Sequence, residues 1–398
     1  MSIYSEIIHD LEAIGAKFRI DDLDETLEIN LGHGWERIGE ATEATINMDL
    51  RELGYSAKNS NKPSLRTAKD AWIKYANEMR HNPIKSFFLG LDDCYEPSDG
   101  GPYIIEHFSR YFENPDGMFA TWLFKWMVGV IAKIFQQQRN PMLVLISEQG
   151  SGKSFFARWI CPIDRDRFFL ESGISPDNKD HRLRLADTLI WELPELGATT
   201  RRSDAEALKA FITFRQIKER HPHARYAIQK PCMASFIGSV NFDGAGFLND
   251  PTGSTRFLAC EITNIDHSYS VDYQVEQLWA EAYWYYKNVP ECYKLTTEQD
   301  TKRAEINASF EIASALEEVI IDRFEITGIP EQFMTTQQIK DHLIGWYKIG
   351  NETTFLRELG RVLKKLGCQS KREKYQPGKP HARGWLGIKK HPTLDIND

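Results

Sequence analysis

Short apolar runs alternate with longer amphipathic stretches in the middle of the chain. Four of these runs, each bounded by turn or polar residues, predict β-strands, and they read MLVLIS, RFFLES, DTLIWEL and CMASFIGSVNF. The stretches between them are long enough to hold helices. This alternation predicts an α/β domain at 139–265 with a mainly parallel sheet covered on both faces.

The pattern changes on either side of this region. Residues 1–60 mix a helical pattern with the strand-like ETLEINL, which predicts a small α+β segment before the polar linker YSAKNSNKPS. Apolar residues at helical spacing predict a helical region at 61–138 and another at 266–328.

The last segment, 329–398, has a pattern of its own. TTQQIKDHLIGWY and ETTFLRELGRVLKKLG predict two amphipathic helices, and CQSKREKYQPGKPHARGWLGIKK predicts two strands around a Pro-Gly turn. Helix, helix and basic hairpin in this order predict a C-terminal winged helix.

Charge is distributed unevenly along this chain of 398 residues with a net charge of −8. Among the first 28 residues acidic side chains outnumber lysine and arginine, whereas 357–390 is rich in lysine and arginine. The predicted second helix of the winged helix carries Arg361, Lys364 and Lys365. We therefore expect DNA as a partner of this segment, with a protein-docking winged helix as the alternative.

Composition also bears on location. No apolar run approaches the length of a membrane span, and the N-terminus lacks the features of a signal peptide. The six cysteines are scattered without a C-x-x-C pair, which indicates reduced thiols. We expect a cytoplasmic protein that makes no membrane contact.

The stretch SEQGSGKS follows the first predicted strand and precedes a predicted helix. It matches a phosphate-binding loop except that Ser147 replaces the first glycine. Glycines let backbone N–H groups converge on phosphate oxygens, Lys153 then neutralises the β- and γ-phosphates, and the Ser154 hydroxyl holds magnesium. ATP and Mg²⁺ are thus the expected cofactors, and the expected cofactor-binding residues are Gln149, Gly150, Ser151, Gly152, Lys153 and Ser154.

Acidic residues follow the strand predicted from DTLIWEL. Glu192 is expected to hold the magnesium and Glu195 to orient or deprotonate the attacking water, although these two roles can be exchanged. Asn241, where the strand FIGSVNF terminates, can orient the water and sense the γ-phosphate. Arg256, after the turn NDPTGS, is either an arginine finger or part of a structural salt bridge.

The order of SEQGSGKS, WELPEL, DAEALKAFIT, FIGSVN and FLNDPTGSTRF resembles the virulence-associated protein E family. That family is similar to superfamily 3 helicases of the AAA+ type and to the helicase part of phage and poxvirus primase-helicases. The resemblance covers about Asn82 to Thr263. It implies that Lys153 is the Walker A lysine, that Glu192 and Glu195 form the Walker B site, that Asn241 is the sensor, and that Arg256 acts on a neighbouring subunit.

The resemblance further implies a hexameric ring that translocates on single-stranded DNA, usually 3′ to 5′. Such helicases grip DNA with a loop between Walker B and the sensor strand, which here is FRQIKERHPHARYAIQKP. The candidate phosphate contacts are Arg215, Lys218, Arg220, His221, His223, Arg225 and Lys230. A metal site at the histidine pair is disfavoured because Pro222 separates them and no cysteine or carboxylate cluster is nearby.

The sequence therefore predicts an ATP-dependent DNA helicase of phage or mobile-element type. The alternatives are a nucleotide-switched DNA-binding initiator that does not unwind, and a P-loop kinase or signalling ATPase. No primase chemistry is visible, so a primase or primase-polymerase is expected either as a partner protein or in a portion absent from this chain.

Overall fold

The computed structural model describes residues 2–55, 62–97, 103–196, 202–219, 227–241, 246–248, 255–312, 314–373 and 382–391. The chain divides into two compact units, Met1–Phe310 and Glu311–Asp398. The second unit holds the segment predicted as a winged helix together with the helix and strand that precede it. Among the helices of the described residues, none is both long and apolar enough to cross a membrane.

The larger unit begins with a small sheet covered by helices. The strands are β1 (Lys17–Asp21), β2 (Leu27–Asn30), β3 (Trp35–Arg37) and β4 (Arg80–His81), in the order β3-β2-β1-β4. The helices are α1 (Ile3–Ala13), α2 (Glu40–Glu52) and α3 (Leu65–Glu78). Trp72 stacks on Phe18 with ring centroids 5.4 Å apart, at the centre of a core separate from that of the main sheet.

A helical layer follows. It consists of α4 (Pro83–Leu89), α5 (Tyr103–Ser109), the short strand β5 (Phe112–Glu113) and α6 (Phe119–Gln136). Most of α6 is buried, and the indole Nε1 of Trp126 donates a 3.0 Å hydrogen bond to the carbonyl of Phe236. This part of the chain is mainly helical, and α6 is anchored to the main sheet.

The predicted parallel sheet is confirmed. Its strands are β6 (Met142–Ser147), β7 (Phe169–Glu171), β8 (Ile190–Leu193), and, after a separate antiparallel pair β9 (Gln216–Glu219) and β10 (Ile228–Pro231), β11 (Ser235–Asn241) and β12 (Phe257–Glu261). The order is β12-β6-β11-β8-β7, and every neighbouring pair is parallel. Continuous apolar runs form these strands because both faces of the sheet are covered.

Helices connect and flank these strands. Those between the strands are α7 (Lys153–Trp159), α8 (Arg165–Phe168), α9 (Lys179–Asp187) and α10 (Arg202–Ile212). After β12 come β13 (Asn264–Ile265), α11 (Tyr269–Asp272), α12 (Val275–Asn288) and α13 (Thr297–Ser309). The RFFLES run is only half strand, because a turn in which Arg167 N–H bonds to the Asp164 carbonyl makes its first residues helical.

The smaller unit is built from helices and short antiparallel strands. Its elements are α14 (Ala315–Arg323), β14 (Phe324–Ile326), β15 (Phe333–Thr335), α15 (Thr336–Leu343), α16 (Glu352–Lys365), β16 (Gln369–Glu373), β17 (Ala382–Leu386) and β18 (Ile388–Lys390). β15, β17 and β16 form one antiparallel sheet, and β14 pairs with β18. Thr335 and Gln338 cap α15 reciprocally. The Pro-Gly turn lies outside the described residues.

Candidate functional site

The loop between β6 and α7 wraps around the ammonium of Lys153. Gly150 and Gly152 have φ of 80° and 94°, a left-handed conformation that glycine adopts without strain. Lys153 is buried, and its Nζ donates to the carbonyls of Ser147 (3.1 Å) and Glu148 (2.8 Å). The described part of the chain gives Lys153 no ion pair, and desolvation lowers its pKa. A buried cation surrounded by neutral oxygens is suited to an anionic ligand.

Ser147, the residue that departs from the phosphate-loop motif, is the last residue of β6. Its backbone is extended strand, so a glycine is not required by conformation at this position. Its hydroxyl lies 2.5 Å from the Ser151 hydroxyl and accepts a 2.9 Å hydrogen bond from Lys153 Nζ. The serine therefore fixes the loop and the lysine by hydrogen bonds.

Glu192 lies within β8 and is fully buried, whereas the sequence places it after the strand. Its Oε1 accepts hydrogen bonds from the hydroxyls of Ser154 (2.7 Å) and Ser239 (2.5 Å). Its Oε2 is buried and has no hydrogen-bond partner in the described structure. Burial raises the pKa of Glu192, while the two serine hydroxyls and Lys153 act in the opposite direction.

The pair of Ser154 and Glu192 fits Mg²⁺. A serine hydroxyl and a carboxylate are hard oxygen ligands, and an unpartnered buried carboxylate oxygen gains from a nearby cation. No group of three or more His, Cys, Asp or Glu side chains suited to a metal occurs in the described ranges. Few protein ligands are expected for magnesium, which usually keeps several waters and binds substrate phosphates.

Ser239 is a site residue that the sequence interpretation missed. It lies on β11, which pairs with β8 on one side and β6 on the other. Ser239 is a small buried polar residue in an apolar strand, two positions before Asn241 and therefore on the same face. The placement of two polar residues, Ser239 and Asn241, at alternate positions of an apolar strand was the sequence signal that could have identified Ser239.

Asn241 and Glu195 lie at the carboxyl edge of the sheet. Asn241 is the exposed last residue of β11 and is in register with Ser147. Glu195 is exposed and has a left-handed φ of 50°, which is uncommon for a residue other than glycine. Strained backbone of this kind is concentrated at functional sites.

Arg256 lies at the amino edge of the sheet, opposite the edge that carries Asn241 and Glu195. Its carbonyl accepts a 2.8 Å hydrogen bond from the N–H of Met142, the first residue of β6. Five steps along the strand separate Met142 from Ser147, about 16 Å at 3.3 Å per residue. Arg256 lines a cavity of about 180 Å³ together with Arg139, Asn140, Pro141, Thr213 and Thr255. The structure does not bring Arg256 near Lys153 of the same chain.

The candidate DNA contacts of the β9–β10 region separate into different environments. Arg215 and Lys218 are exposed. Lys230 instead donates to the carbonyl of Leu23 (2.9 Å) and pairs with Glu25 (2.9 Å), so it holds the N-terminal segment. The remaining candidates lie outside the described residues, namely Arg220, His221, His223 and Arg225.

The basic residues of α16 also differ. Arg361 and Lys364 are exposed on the helix, one turn apart. Lys365 forms a 3.0 Å ion pair with the buried carboxylate of Glu317 on α14. The positive charge of Lys365 is therefore partly neutralised by Glu317 within this unit.

The sequence matches the model of one protein family. Residues 91–312, more than half of the chain, match the model of the virulence-associated protein E-like domain. No curated protein matches the sequence.

Solved structures of the NrS-1 C-terminal region are similar to this chain. The apo structure of residues 305–718 shows 13% identity and a TM-score of 0.49, with 98% of this chain and 100% of that chain covered. Its A form shows 13% identity and a TM-score of 0.49, with 97% and 100% covered. The loop before Lys153 and the strands β8 and β11 all fall inside the matched range, and the chain belongs to the virulence-associated protein E-like family.

Proposed function

We propose that this chain is an ATP hydrolase whose catalytic site lies at the carboxyl edge of the parallel sheet. The observation that carries the proposal is the 2.7 Å hydrogen bond from Ser154 to Glu192, whose second carboxylate oxygen is buried and unpartnered. This arrangement lies beside Lys153, a buried ammonium that no carboxylate pairs with in the described structure. A magnesium nucleotide supplies both the cation for Glu192 and the anion for Lys153.

Each residue then has a chemical task. Lys153 and the N–H groups of the loop bind the β- and γ-phosphates, and Ser154 and Glu192 hold Mg²⁺, which neutralises charge on the phosphates. Glu195 and Asn241 lie at the same edge and position the attacking water. We assign the base to Glu195 because Oε1 of Glu192 accepts from two serine hydroxyls and we assign its Oε2 to Mg²⁺.

We further propose that hydrolysis drives movement on DNA, as in a helicase. The exposed Arg215 and Lys218 supply phosphate contacts on the larger unit, and Arg361 and Lys364 do so on the smaller unit, which we interpret as a winged helix. Arg256 lies beside Met142, at the end of β6 opposite its own loop, so an arginine finger at this position acts on a neighbouring copy. When the same contact is repeated from copy to copy and the last copy meets the first, the copies form a ring. We propose that this ring is a hexamer.

Unwinding of a forked DNA duplex, with molecular mass measured in the same buffer, tests the helicase proposal. We expect ATP-dependent unwinding by an oligomer and none by Lys153→Ala. A chain that stays monomeric with nucleotide and DNA and never unwinds contradicts it. ATP-dependent DNA binding without unwinding identifies a nucleotide-switched initiator instead.

A further inference from the structure

The imidazole of His267 lies against the backbone of Gly152 in the phosphate loop. A β-carbon built on Gly152 falls 2.0 Å from His267 Cε1 and 2.6 Å from Nε2. The ring therefore occupies the space that any side chain at residue 152 needs. The last glycine of the loop serves two purposes, since it adopts a φ of 94° and admits the ring of His267.

A second ring lies next to His267. Phe155 directly follows Ser154 and is 52% exposed, and its ring centroid is 5.9 Å from that of His267 at an interplanar angle of 77°. Tyr269 is buried under both, with centroids 6.3 Å from Phe155 and 6.2 Å from His267. We call the exposed rings of Phe155 and His267 the ring ledge.

The backbone that carries His267 is fixed by its own hydrogen bonds. The N–H of Asp266 donates to the Tyr111 carbonyl at 2.8 Å. The Asp266 carboxylate accepts from the N–H and hydroxyl of Ser268 at 3.0 and 2.8 Å. The ledge is therefore held in position beside the loop before any ligand binds, which lowers the entropy cost of binding.

An exposed phenylalanine alone needs no explanation, but here it contacts a second exposed ring that itself lies against the loop. A nucleotide has an apolar, flat base at one end and phosphates at the other. Aromatic side chains bind nucleobases by stacking, which tolerates any base because each has a π-face.

We propose that Phe155 and His267 bind the nucleoside part of the nucleotide whose phosphates the loop holds. This inference rests on the proposed nucleotide site and concerns two residues outside the candidate site residues of the sequence. The ledge contributes affinity for ribose and base, and the loop contributes affinity for phosphate.

Two ligands separate these contributions. Binding of Mg-ATP and of magnesium with inorganic triphosphate, which lacks the nucleoside, is measured by calorimetry on the full chain. The proteins are wild type, Phe155→Ala, His267→Ala, and the controls Phe214→Ala and His33→Ala, which remove an exposed phenylalanine and an exposed histidine elsewhere.

We expect each ledge variant to bind Mg-ATP roughly five- to a hundredfold more weakly, as for loss of one base-stacking contact. Affinity for triphosphate stays at the wild-type value, and the controls leave both affinities unchanged. Unchanged ATP affinity in both ledge variants overturns the inference while leaving the nucleotide site intact. An equal loss of affinity for Mg-ATP and for triphosphate also overturns the inference, because the two rings then only support the conformation of the loop. A wild type that binds neither ligand overturns the proposed function as well.

Discussion

The hydroxyl of Ser154 donates a 2.7 Å hydrogen bond to Glu192, although the two residues are 38 positions apart in the chain. Ser154 follows the phosphate-type loop, and Glu192 lies in the middle of a buried strand. Because β11 separates β6 from β8 in the sheet, the contact depends on the order of the strands. The strand order therefore assembles the proposed magnesium site.

Stability of the ligand-free protein should fall as pH rises through the pKa of Glu192. Burial raises this pKa in the folded state, so the folded protein retains a proton that the unfolded chain has lost. Between the usual glutamate pKa and the raised value, stability is therefore lost with increasing pH. Thermal unfolding at several pH values should show a smaller decline for Glu192→Gln than for wild type. An identical decline in both proteins contradicts this assignment.

Loss of the Ser239 hydroxyl should impair hydrolysis. Ser239→Ala removes a hydrogen bond to the Glu192 carboxylate, and hydrogen bonds to charged groups contribute about 1.5–3 kcal/mol. We expect kcat to fall about tenfold or more and the acid limb of the pH–rate profile to shift to higher pH.

Ser235→Ala is the matched control for that experiment. Ser235 is a buried serine on the same strand, but it accepts its hydrogen bond from Asn140. The control should lose stability and keep the wild-type pH–rate profile. If both variants change the profile alike, the role of Ser239 is structural.

Arg256 should act between subunits. Arg256→Ala is expected to lose about a thousandfold or more in ATP hydrolysis, as for loss of an arginine finger, and Lys153→Ala about a hundredfold or more. In an equal mixture, roughly a quarter of randomly formed interfaces pair an intact loop with an intact arginine. Mixing should therefore restore measurable ATPase activity, whereas an inactive mixture whose subunits have exchanged argues against action in trans.

The exposed basic residues of α16 should contribute to DNA affinity. Replacing Arg361 and Lys364 by alanine should lower the salt slope of single-strand binding by about 1.4, at 0.7 per phosphate contact. Lys365→Ala provides the contrast, because this lysine pairs with Glu317. It should reduce stability more than it changes the slope. A double variant that binds DNA with the wild-type slope excludes α16 as a DNA contact.

Much of the fold followed from patterns that are local in the sequence. The apolar runs predicted β6, β8 and β11, and glycine spacing predicted the loop before Lys153. Contacts between distant residues could not be predicted in this way. The pairing of Lys230 with Glu25 and that of Lys365 with Glu317 depend on how separate elements pack.

The position of Arg256 shows the same limit. Its place in the motif order suggested a role in hydrolysis, but the parallel pairing of β12 with β6 puts it at the amino edge of the sheet. A motif gives the order of residues along the chain, whereas the direction of each strand decides at which edge they lie. The ring of His267 against Gly152 likewise depends on the pairing of β13 with β5.

Release of inorganic phosphate from Mg-ATP tests the central claim most directly. The proteins compared are wild type, Lys153→Ala and Glu192→Gln, with and without single-stranded DNA. We predict magnesium-dependent hydrolysis by wild type that DNA stimulates, and a loss of about a hundredfold or more in both variants. Hydrolysis by either variant at the wild-type rate, or none by wild type that binds Mg-ATP, contradicts the assignment of Lys153 and Glu192 to a catalytic ATP site.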